Sequence, residues 1–257
     1  MGIQPRLIDA HSHFDDASFE ADREQALSRA HEAGVVEQII PAVKAAWWPR
    51  IKELCRQTAG LYPSYGLHPM YLDDHQEPHL ETLRQWVAKE LPVAIGECGL
   101  DFYIDDPKPE QQQHYFEAQL QIATDYKLPV IIHARRSVEE VINTLRRYPH
   151  VKGMLHSYSG SEQQASRLID MGFYLSFGGP ITYERAKRLQ RLIKSLPLDA
   201  ILLETDSPDQ PGSSHRGQRN EPAFLPEVLS AVAHLRNQQP ELVAQQTAAN
   251  TRRLFNI

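Results

Sequence analysis

Short β-rich segments alternate with longer helical patterns along the chain, and this alternation constrains the fold more than any other feature. Four of the eight β-rich segments are almost entirely apolar, as expected for parallel strands buried on both faces. Such an alternation predicts a parallel sheet with helical crossovers. The predicted strands are Arg6–Asp9, Val35–Ala42, Leu61–Leu67, Val93–Gly96, Pro129–Ile132, Gly153–Leu155, Phe173–Phe177 and Ala200–Leu203.

Helices are predicted where apolar residues recur every three or four positions between and after these strands. The first of them is expected to stop at Gly34, and Ser137 is expected to cap the helix that begins at Val138. The predicted helices are Glu20–Ala33, Pro109–Tyr126, Val138–Arg147, Ser161–Met171, Ala186–Leu196, Ala223–Asn237 and Pro240–Phe255.

The number of strands and the chain length together favour a barrel. Eight strands that close on themselves form a (β/α)₈ (TIM) barrel, which usually takes about 250 residues, and this chain has 257. We therefore expect an α/β protein with one barrel domain over residues 1–257. An open doubly wound sheet, which needs fewer strands, and two smaller domains are the alternatives.

Charge and cysteine content bear on partners and compartment. The formal net charge of −6 argues against extended binding of duplex DNA, which requires many phosphate contacts from Lys and Arg. No segment has the apolar length of a membrane span, and the N-terminal residues lack the pattern of a secretory signal. Only Cys55 and Cys98 occur, so a reducing cytoplasm is the expected location. No membrane contact and no obligate protein partner are expected.

Polar residues follow the predicted strands at the end where such barrels hold their active sites. A lone histidine after a strand is more often structural, so each residue alone is weak evidence. Together, however, four imidazoles and two carboxylates would converge on one mouth, where divalent cations satisfy all of them. Six ligands exceed those of one catalytic zinc, so two cations and a bridging carboxylate are expected. The candidate ligands are His11, His13, Glu97, His133, His156 and Asp206.

The segments that carry these residues resemble a known family. DAHSHFD, GLHP, GECGLD, PVIIHARR, HSYSG and LLETDSPD are similar in order and spacing to the motifs of the TatD family of metal-dependent deoxyribonucleases, a branch of the amidohydrolase-like barrels. The resemblance spans essentially the whole chain, down to the terminal NTRRLFNI.

The resemblance assigns the candidate ligands to two metal ions. It implies that one divalent metal is bound by three of them, and the second by two others. Glu97 would bridge both metals. No Lys stands at the end of the fourth strand, so the carboxylated-Lys bridge of other superfamily members is excluded. The first metal would be held by His11, His13 and Asp206, and the second by His133 and His156.

The expected chemistry is hydrolysis by a water activated by two divalent cations, with Zn²⁺, Mn²⁺ and Mg²⁺ as candidates. Glu97 and Asp206 are expected to be catalytic, Asp206 as the acceptor of the water's proton. His68 is expected to contact a phosphate oxygen or the leaving group rather than a metal, with a packed loop residue as the alternative.

Two further groups of residues are expected near the substrate. Arg135 or Arg136 would hold a second phosphate, although such pairs are often only solvated surface. A long polar loop, 209–222, follows the eighth strand, and Asn220 and Glu221 within it are expected to shape the pocket.

The predicted function is cleavage of phosphodiester bonds in DNA, directed at ends or single strands because of the acidic net charge. A dinuclear hydrolase of a small phosphoester, ester or amide is the alternative, since a fold does not fix its substrate. A non-catalytic metal-binding module is a third possibility, which a bridging carboxylate in an open mouth disfavours.

Overall fold

Eight parallel strands lie in the order β1 to β8 around a nearly closed barrel, which confirms the predicted fold class. The computed structural model describes residues 6–257; residues 1–5, which carry part of the expectation about a secretory signal, lie outside the described residues. The strands are β1 Leu7–Asp9, β2 Val35–Pro41, β3 Leu61–Tyr65, β4 Ala94–Asp101, β5 Val130–Arg135, β6 Gly153–Leu155, β7 Phe173–Phe177 and β8 Ile201–Leu203.

Helices surround the barrel, and two of them, α2 and α3, are not among the predicted helices. Both begin at or next to a proline and follow a 3₁₀ turn, although their apolar residues recur every three or four positions as in the other helices. Within residues 6–257 no helix combines the length and apolarity needed to cross a bilayer. The helices are α1 Arg23–Glu32, α2 Trp48–Gln57, α3 Pro78–Glu90, α4 Pro109–Tyr126, α5 Val138–Leu145, α6 Glu162–Asp170, α7 Lys187–Ser195, α8 Leu225–Arg236 and α9 Pro240–Phe255.

Strand β4 is longer than predicted and continues past Gly96 to Asp101. Gly96 and Gly99 have φ values of 139° and 132°, which side chains disfavour. A Cβ at Gly99 would lie 2.1 Å from the carbonyl oxygen of His133 on β5. The glycines that suggest a strand end therefore allow close pairing of β4 with β5, and Glu97 lies inside a strand rather than in a loop.

The ends of β1 and β8 are joined by hydrogen bonds that follow the strands. The Ala10 amide donates to the Leu203 carbonyl at 2.9 Å, and the Asp206 amide donates to the His11 carbonyl at 3.0 Å. The buried Asp9 carboxylate accepts bonds from the amide and hydroxyl of Thr205 at 2.9 and 2.5 Å. These bonds place the residues after β1 beside those after β8.

Apolar side chains fill the lower part of the barrel, beneath the polar mouth. Leu254 and Phe255, at the end of α9, pack against this interior cluster and close it from below. Burial of one such side chain stabilises the fold by about 1.5–3 kcal/mol. The strand residues of the cluster are Ile39, Ala94, Ile131, Met154 and Leu202, with Ala10 directly after β1.

Ser137 stands at the N-cap position of α5, as predicted, but its side chain makes no capping bond to the helix. The Ser137 hydroxyl, expected to cap α5, instead donates to the Leu100 carbonyl at 2.7 Å and so joins α5 to the end of β4. At α6, Ser161 forms a reciprocal capping box with Gln164.

Candidate active site

All six candidate ligands lie together at the carboxyl ends of the strands. His11 and His13 follow β1, Glu97 lies on β4 and His133 on β5, while His156 and Asp206 follow β6 and β8. Because parallel strands share one direction, their ends form a single rim, and residues far apart in sequence meet there. The side chains of His13 and His133 are 20% and 13% exposed, so the cluster is largely screened from solvent.

One group of donor atoms surrounds a small space at the ends of β1 and β8. The Nε2 atoms of His11 and His13 lie 3.3 Å apart, and each lies 3.4 Å from Oε2 of Glu97. Asp206 Oδ1 lies 3.4 and 3.7 Å from the same two nitrogens. Donors about 2.0–2.1 Å from a tetrahedral zinc would be about 3.3–3.4 Å apart. The spacing of this group fits one cation.

A second group of donors surrounds the other oxygen of Glu97. Oε1 lies 3.1 Å from His133 Nδ1 and 2.8 Å from His156 Nε2, and these two nitrogens lie 3.0 Å apart. Oε2 of Glu97 is buried and has no hydrogen-bond partner, although a buried carboxylate oxygen is costly when left unsatisfied. A cation between the donors would satisfy it, so the donor chemistry fits two divalent metals.

His68 also reaches this centre, with Nε2 at 3.0 Å from Glu97 Oε1, and its position would allow it to join a metal group with Glu97 and His133. The hydrogen bond that its other ring nitrogen, Nδ1, accepts argues against metal ligation by Nε2. The Met70 amide donates to His68 Nδ1 at 3.1 Å, and burial lowers the pKa of His68 to about 4. A neutral imidazole that accepts at Nδ1 carries its proton on Nε2, so His68 is arranged as a hydrogen-bond donor.

The tautomer of His133 is fixed in the opposite sense by a residue that the sequence interpretation leaves without a role. Asp101 Oδ2 lies 2.9 Å from His133 Nε2, so the ring donates there and Nδ1 is the nitrogen that faces Glu97. The Gln112 side chain holds Asp101 by bonds to its amide and carbonyl at 2.6 and 2.8 Å. The feature of the sequence that could have identified Asp101 is its position, since it is an acidic residue at the end of a strand and two residues after Gly99.

A second buried carboxylate also goes unrecognised in the sequence. Glu204 accepts a bond from the Ser157 amide at 2.6 Å and another from the Ser176 hydroxyl. Burial raises the pKa of Glu204 to about 8. Its bond to Ser157 fixes the backbone next to His156, whose Nδ1 lies 3.9 Å from Glu204 Oε1. Glu204 therefore positions the loop that carries this histidine.

The imidazoles of the centre stabilise the ionised form of Glu97. Burial by itself would raise the pKa of Glu97, but His68, His156 and His11 lower it well below its ordinary value. Burial would likewise lower the pKa of His133, yet its bonds to Asp101 and Glu97 raise it to about 9. Positive charge is therefore favoured between these groups, as a metal site requires.

A cavity of about 670 Å³ opens above the donor atoms and is lined by Arg135, Trp47 and Tyr71 as well as by His68. Arg136, the alternative candidate for phosphate contact, is not among its lining residues. The Arg135 guanidinium lies 3.9 Å from the centre of the Tyr103 ring, and that of Arg136 lies 4.2 Å from it.

The long loop after β8 contributes to the cavity through its beginning, because Asp209 and Gln210 line it. Asn220 does not line the cavity, but its amide donates to the carbonyls of Thr205 and Asp209, both at 2.7 Å. Glu221 instead pairs with Arg29 on α1 at 2.8 Å. These two residues shape the loop rather than contact the cavity.

A (β/α)₈ barrel with imidazoles and carboxylates gathered at its mouth defines a class, the metal-dependent hydrolase barrels. The chain belongs to the TatD family, since residues 8–256 match the family described as TatD related DNase. The protein is thus a metal-dependent hydrolase that acts on ester bonds.

Two relatives and one solved structure illustrate the match. The chain is 40% identical over 255 residues to the uncharacterized metal-dependent hydrolase YjjV of Escherichia coli K12, covering 98% of each chain. It is 35% identical over 263 residues to the 3'-5' ssDNA/RNA exonuclease TatD of Erwinia tasmaniensis, covering 98% of this chain and 100% of the other. The crystal structure of E. coli K12 YjjV superimposes with a TM-score of 0.95 at 39% identity, over 99% of this chain and 100% of that one.

Proposed function

We propose that the protein cleaves phosphodiester bonds in single-stranded DNA, starting from an end, with two divalent cations. The observation that carries this proposal is the position of Glu97, whose two carboxylate oxygens face two different donor groups beneath one open cavity. His11, His13 and Asp206 would hold one cation, His133 and His156 the other, and Glu97 both. When bound, such a pair supplies an activated water and stabilises the charge that develops on phosphate oxygens.

The side chain of Asp206 is arranged to accept a proton. Oδ1 faces the two histidines that follow β1, while Oδ2 accepts a bond from the Gln210 side-chain amide. Gln210 in turn accepts a bond from the Ser157 hydroxyl at 2.9 Å. Burial would raise the pKa of Asp206, but its bond to His11 and the other histidines lower it to about 2. The carboxylate is therefore ionised at neutral pH, as a metal ligand and a proton acceptor must both be.

Two side chains would orient the phosphodiester. His68 would donate from Nε2 to a phosphate oxygen or to the leaving oxygen, because its proton lies on the nitrogen that faces the centre. Arg135 would contact a neighbouring phosphate, since its side chain is 46% exposed and lines the cavity. A guanidinium binds phosphate well because its donors form a planar fork.

A nucleic-acid substrate is supported by a relative of similar length named as a 3'-5' ssDNA/RNA exonuclease. Single strands are favoured over duplexes because the net charge of −6 disfavours a wide phosphate contact surface. We place the enzyme in the cytoplasm, in keeping with its two unpaired cysteines.

The experiment that tests this function compares substrates and metals on purified protein. Single-stranded DNA, a p-nitrophenyl phosphodiester and a panel of small esters and amides are each assayed with Mg²⁺, Mn²⁺ or Zn²⁺. We expect shortening of single-stranded DNA from one end. Hydrolysis of only the small substrates would instead support a small-molecule hydrolase, and no hydrolysis with any metal would refute the proposal.

The matching variant is Glu97→Ala, which removes both bridging oxygens. We expect loss of bound metal, measured by elemental analysis, and loss of hydrolysis, with an unchanged circular dichroism spectrum. Full metal content and full rate in this variant would contradict the assignment of Glu97 as the bridge.

A further inference from the structure

Six cationic side chains lie on one sector of the barrel, along α7 and in the loops next to its amino end. All six are exposed, and the only acidic residue between Ile181 and Leu198 is Glu184. We call this set the α7 basic surface. Its residues are Arg185, Lys187, Arg188, Arg191, Lys194 and Arg216.

The charges of this surface are not neutralised by carboxylates. Among residues 6–257, the ion pairs that surround this segment in sequence involve Arg167, His215 and Arg219, and none involves the six cations. Elsewhere on the rim the pattern is different, because Lys44 pairs with Asp74 and Lys108 with Asp73, both at 2.9 Å. The α7 sector therefore retains positive charge that the sector around Lys44 and Lys108 cancels.

The α7 basic surface adjoins the active-site cavity. Ile181 and Leu189, which flank the start of α7, both line the cavity. Tyr158 lines it too, and the Arg188 guanidinium opposes the burial that raises the pKa of Tyr158, which indicates that Arg188 is near it.

The loop after β8 extends the surface on its other side. Arg216 shares a shallow recess with Arg185 and Lys187. The cations therefore form a continuous surface that leads from the cavity mouth to the outside of the barrel.

The arrangement suits a polyanion rather than a single anion. Lys187, Arg191 and Lys194 recur every three or four residues and so share one helix face, over a length of about 10 Å. A strand carries phosphates closely enough for several to contact such a face. Since the whole protein carries a net charge of −6, a local positive field is needed to bring a polyanion to the cavity.

We propose that the α7 basic surface binds the backbone phosphates of the strand whose end occupies the cavity, some nucleotides away from the cleaved bond. The identity of the ligand as a nucleic acid rests on the proposed function. Because the contacts are to phosphates, binding depends on salt and on strand length but little on base sequence.

The test measures binding separately from cleavage. A fluorescent oligothymidylate of about 20 nucleotides with phosphorothioate linkages, a length that exceeds typical single-strand site sizes, resists hydrolysis and is titrated with the metal-loaded protein. Affinity is measured by anisotropy between about 50 and 200 mM KCl. The variant is Arg188→Glu/Arg191→Glu, which should retain the helix because the helix propensities of Glu and Arg are similar.

The matched control is Arg146→Glu/Arg253→Glu. Both residues are exposed, and they lie at the carboxyl ends of α5 and α9, which is the opposite end of the barrel. The control has the same change in net charge and reports the effect of overall repulsion alone.

We expect the α7 variant to bind at least tenfold more weakly than the control. The slope of the logarithm of its binding constant against the logarithm of the KCl concentration should be shallower by about 1.4. Each of the two lost phosphate contacts contributes about 0.7 to this slope for single strands. Hydrolysis of a p-nitrophenyl phosphodiester should be unchanged, because that substrate fits within the cavity and neither Arg188 nor Arg191 lines it. Equal affinity and slope in the two variants would overturn the proposal, as would absence of any binding by the unaltered protein.

Failure of this inference is distinguishable from failure of the proposed function. If the unaltered protein binds the oligonucleotide through α7 but cleaves no DNA, the surface stands and the DNase assignment falls. If DNA is cleaved and both variants bind alike, the DNase assignment stands and the role of α7 falls.

Discussion

At the residue scale, the site depends on which nitrogen of each histidine carries the proton. His133 donates to Asp101 from Nε2 and so presents Nδ1 to the centre, whereas His68 accepts at Nδ1 and presents an N–H. Two histidines at similar distances from Glu97 are thereby suited to different tasks, one to ligation and one to donation. A carboxylate and a backbone amide decide which nitrogen carries the proton, and the positions of the histidines in the sequence do not reveal these neighbours.

Asp101→Asn tests the neighbour of His133. The amide can rotate to donate toward His133 and disturb the tautomer that ligation requires, so we expect metal affinity to fall by about 10–100-fold with the fold intact. Metal titration monitored by calorimetry measures the change. Asp106→Asn, an exposed change in the loop after β4, is the control and should have no effect; equal affinities in the two variants would remove Asp101 from this role.

His68→Ala and His68→Gln test donation against ligation. If His68 donates to substrate, the alanine variant should retain its metals and lose activity by roughly 100-fold, the usual cost of one positioned donor. Glutamine, which keeps an N–H donor, should recover part of the rate. Elemental analysis together with kcat measurements checks this, and loss of metal from both variants would identify His68 as a ligand.

At the element scale, the loop after β8 is held to α1 by a network of charges. Arg219 pairs with Asp22 and Glu221, both at 2.7 Å, and Arg29 pairs with Glu221 at 2.8 Å. This attachment fixes the far end of the loop whose beginning lines the cavity. The side chains are 11–43% exposed, so each pair contributes little by itself and the network roughly 1 kcal/mol.

Arg219→Gln tests this attachment. We expect a decrease in Tm of about 2–4 °C per kcal/mol lost, whereas Arg56→Gln, which breaks an exposed pair within α2, should leave Tm unchanged. Burial would raise the pKa of Glu221, but its bonds to Arg29 and Arg219 lower it. Its stabilisation is therefore present above the ordinary pKa of about 4.3 and is lost as the pH falls below that value.

The pH dependence gives this prediction a second measurement. Thermal melts followed from neutral pH to below the carboxylate range should show a smaller loss of Tm on acidification in Arg219→Gln than in the unaltered protein. Parallel curves for the two proteins would mean that Glu221 draws no stability from Arg219.

At the scale of the whole molecule, the interior cluster of apolar side chains fills the lower barrel, and a group of ionisable side chains lies above it. This cluster is closed by the last turn of α9, so the last helix of the chain closes the barrel beneath the site. Above it, Glu97 retains a buried oxygen without a partner. The folded protein is thus expected to gain stability when cations occupy the centre.

Metal removal tests that expectation. A ligand at 100 times its Kd stabilises a protein by about 2.7 kcal/mol, which in a chain of this size is about 5–10 °C in Tm. We expect a chelator to lower Tm by that amount, and re-addition of the metal to restore it. Glu97→Ala should melt at one temperature with and without chelator; an equal chelator effect in this variant would show that the stabilising metal binds elsewhere.

The sequence by itself determined the barrel and the six candidate ligands, because apolar periodicity and the order of polar residues after strands are local properties. It misplaced the end of β4, since glycine in isolation signals a break and only the approach of β5 shows why Gly99 is needed within the strand. The tertiary structure alone decided the contacts of His68, the hydrogen bond between His133 and Asp101, and the absence of ion pairs from the cations around α7. Each of these depends on atoms brought close by barrel closure, and no spacing along the chain encodes a distance across the barrel.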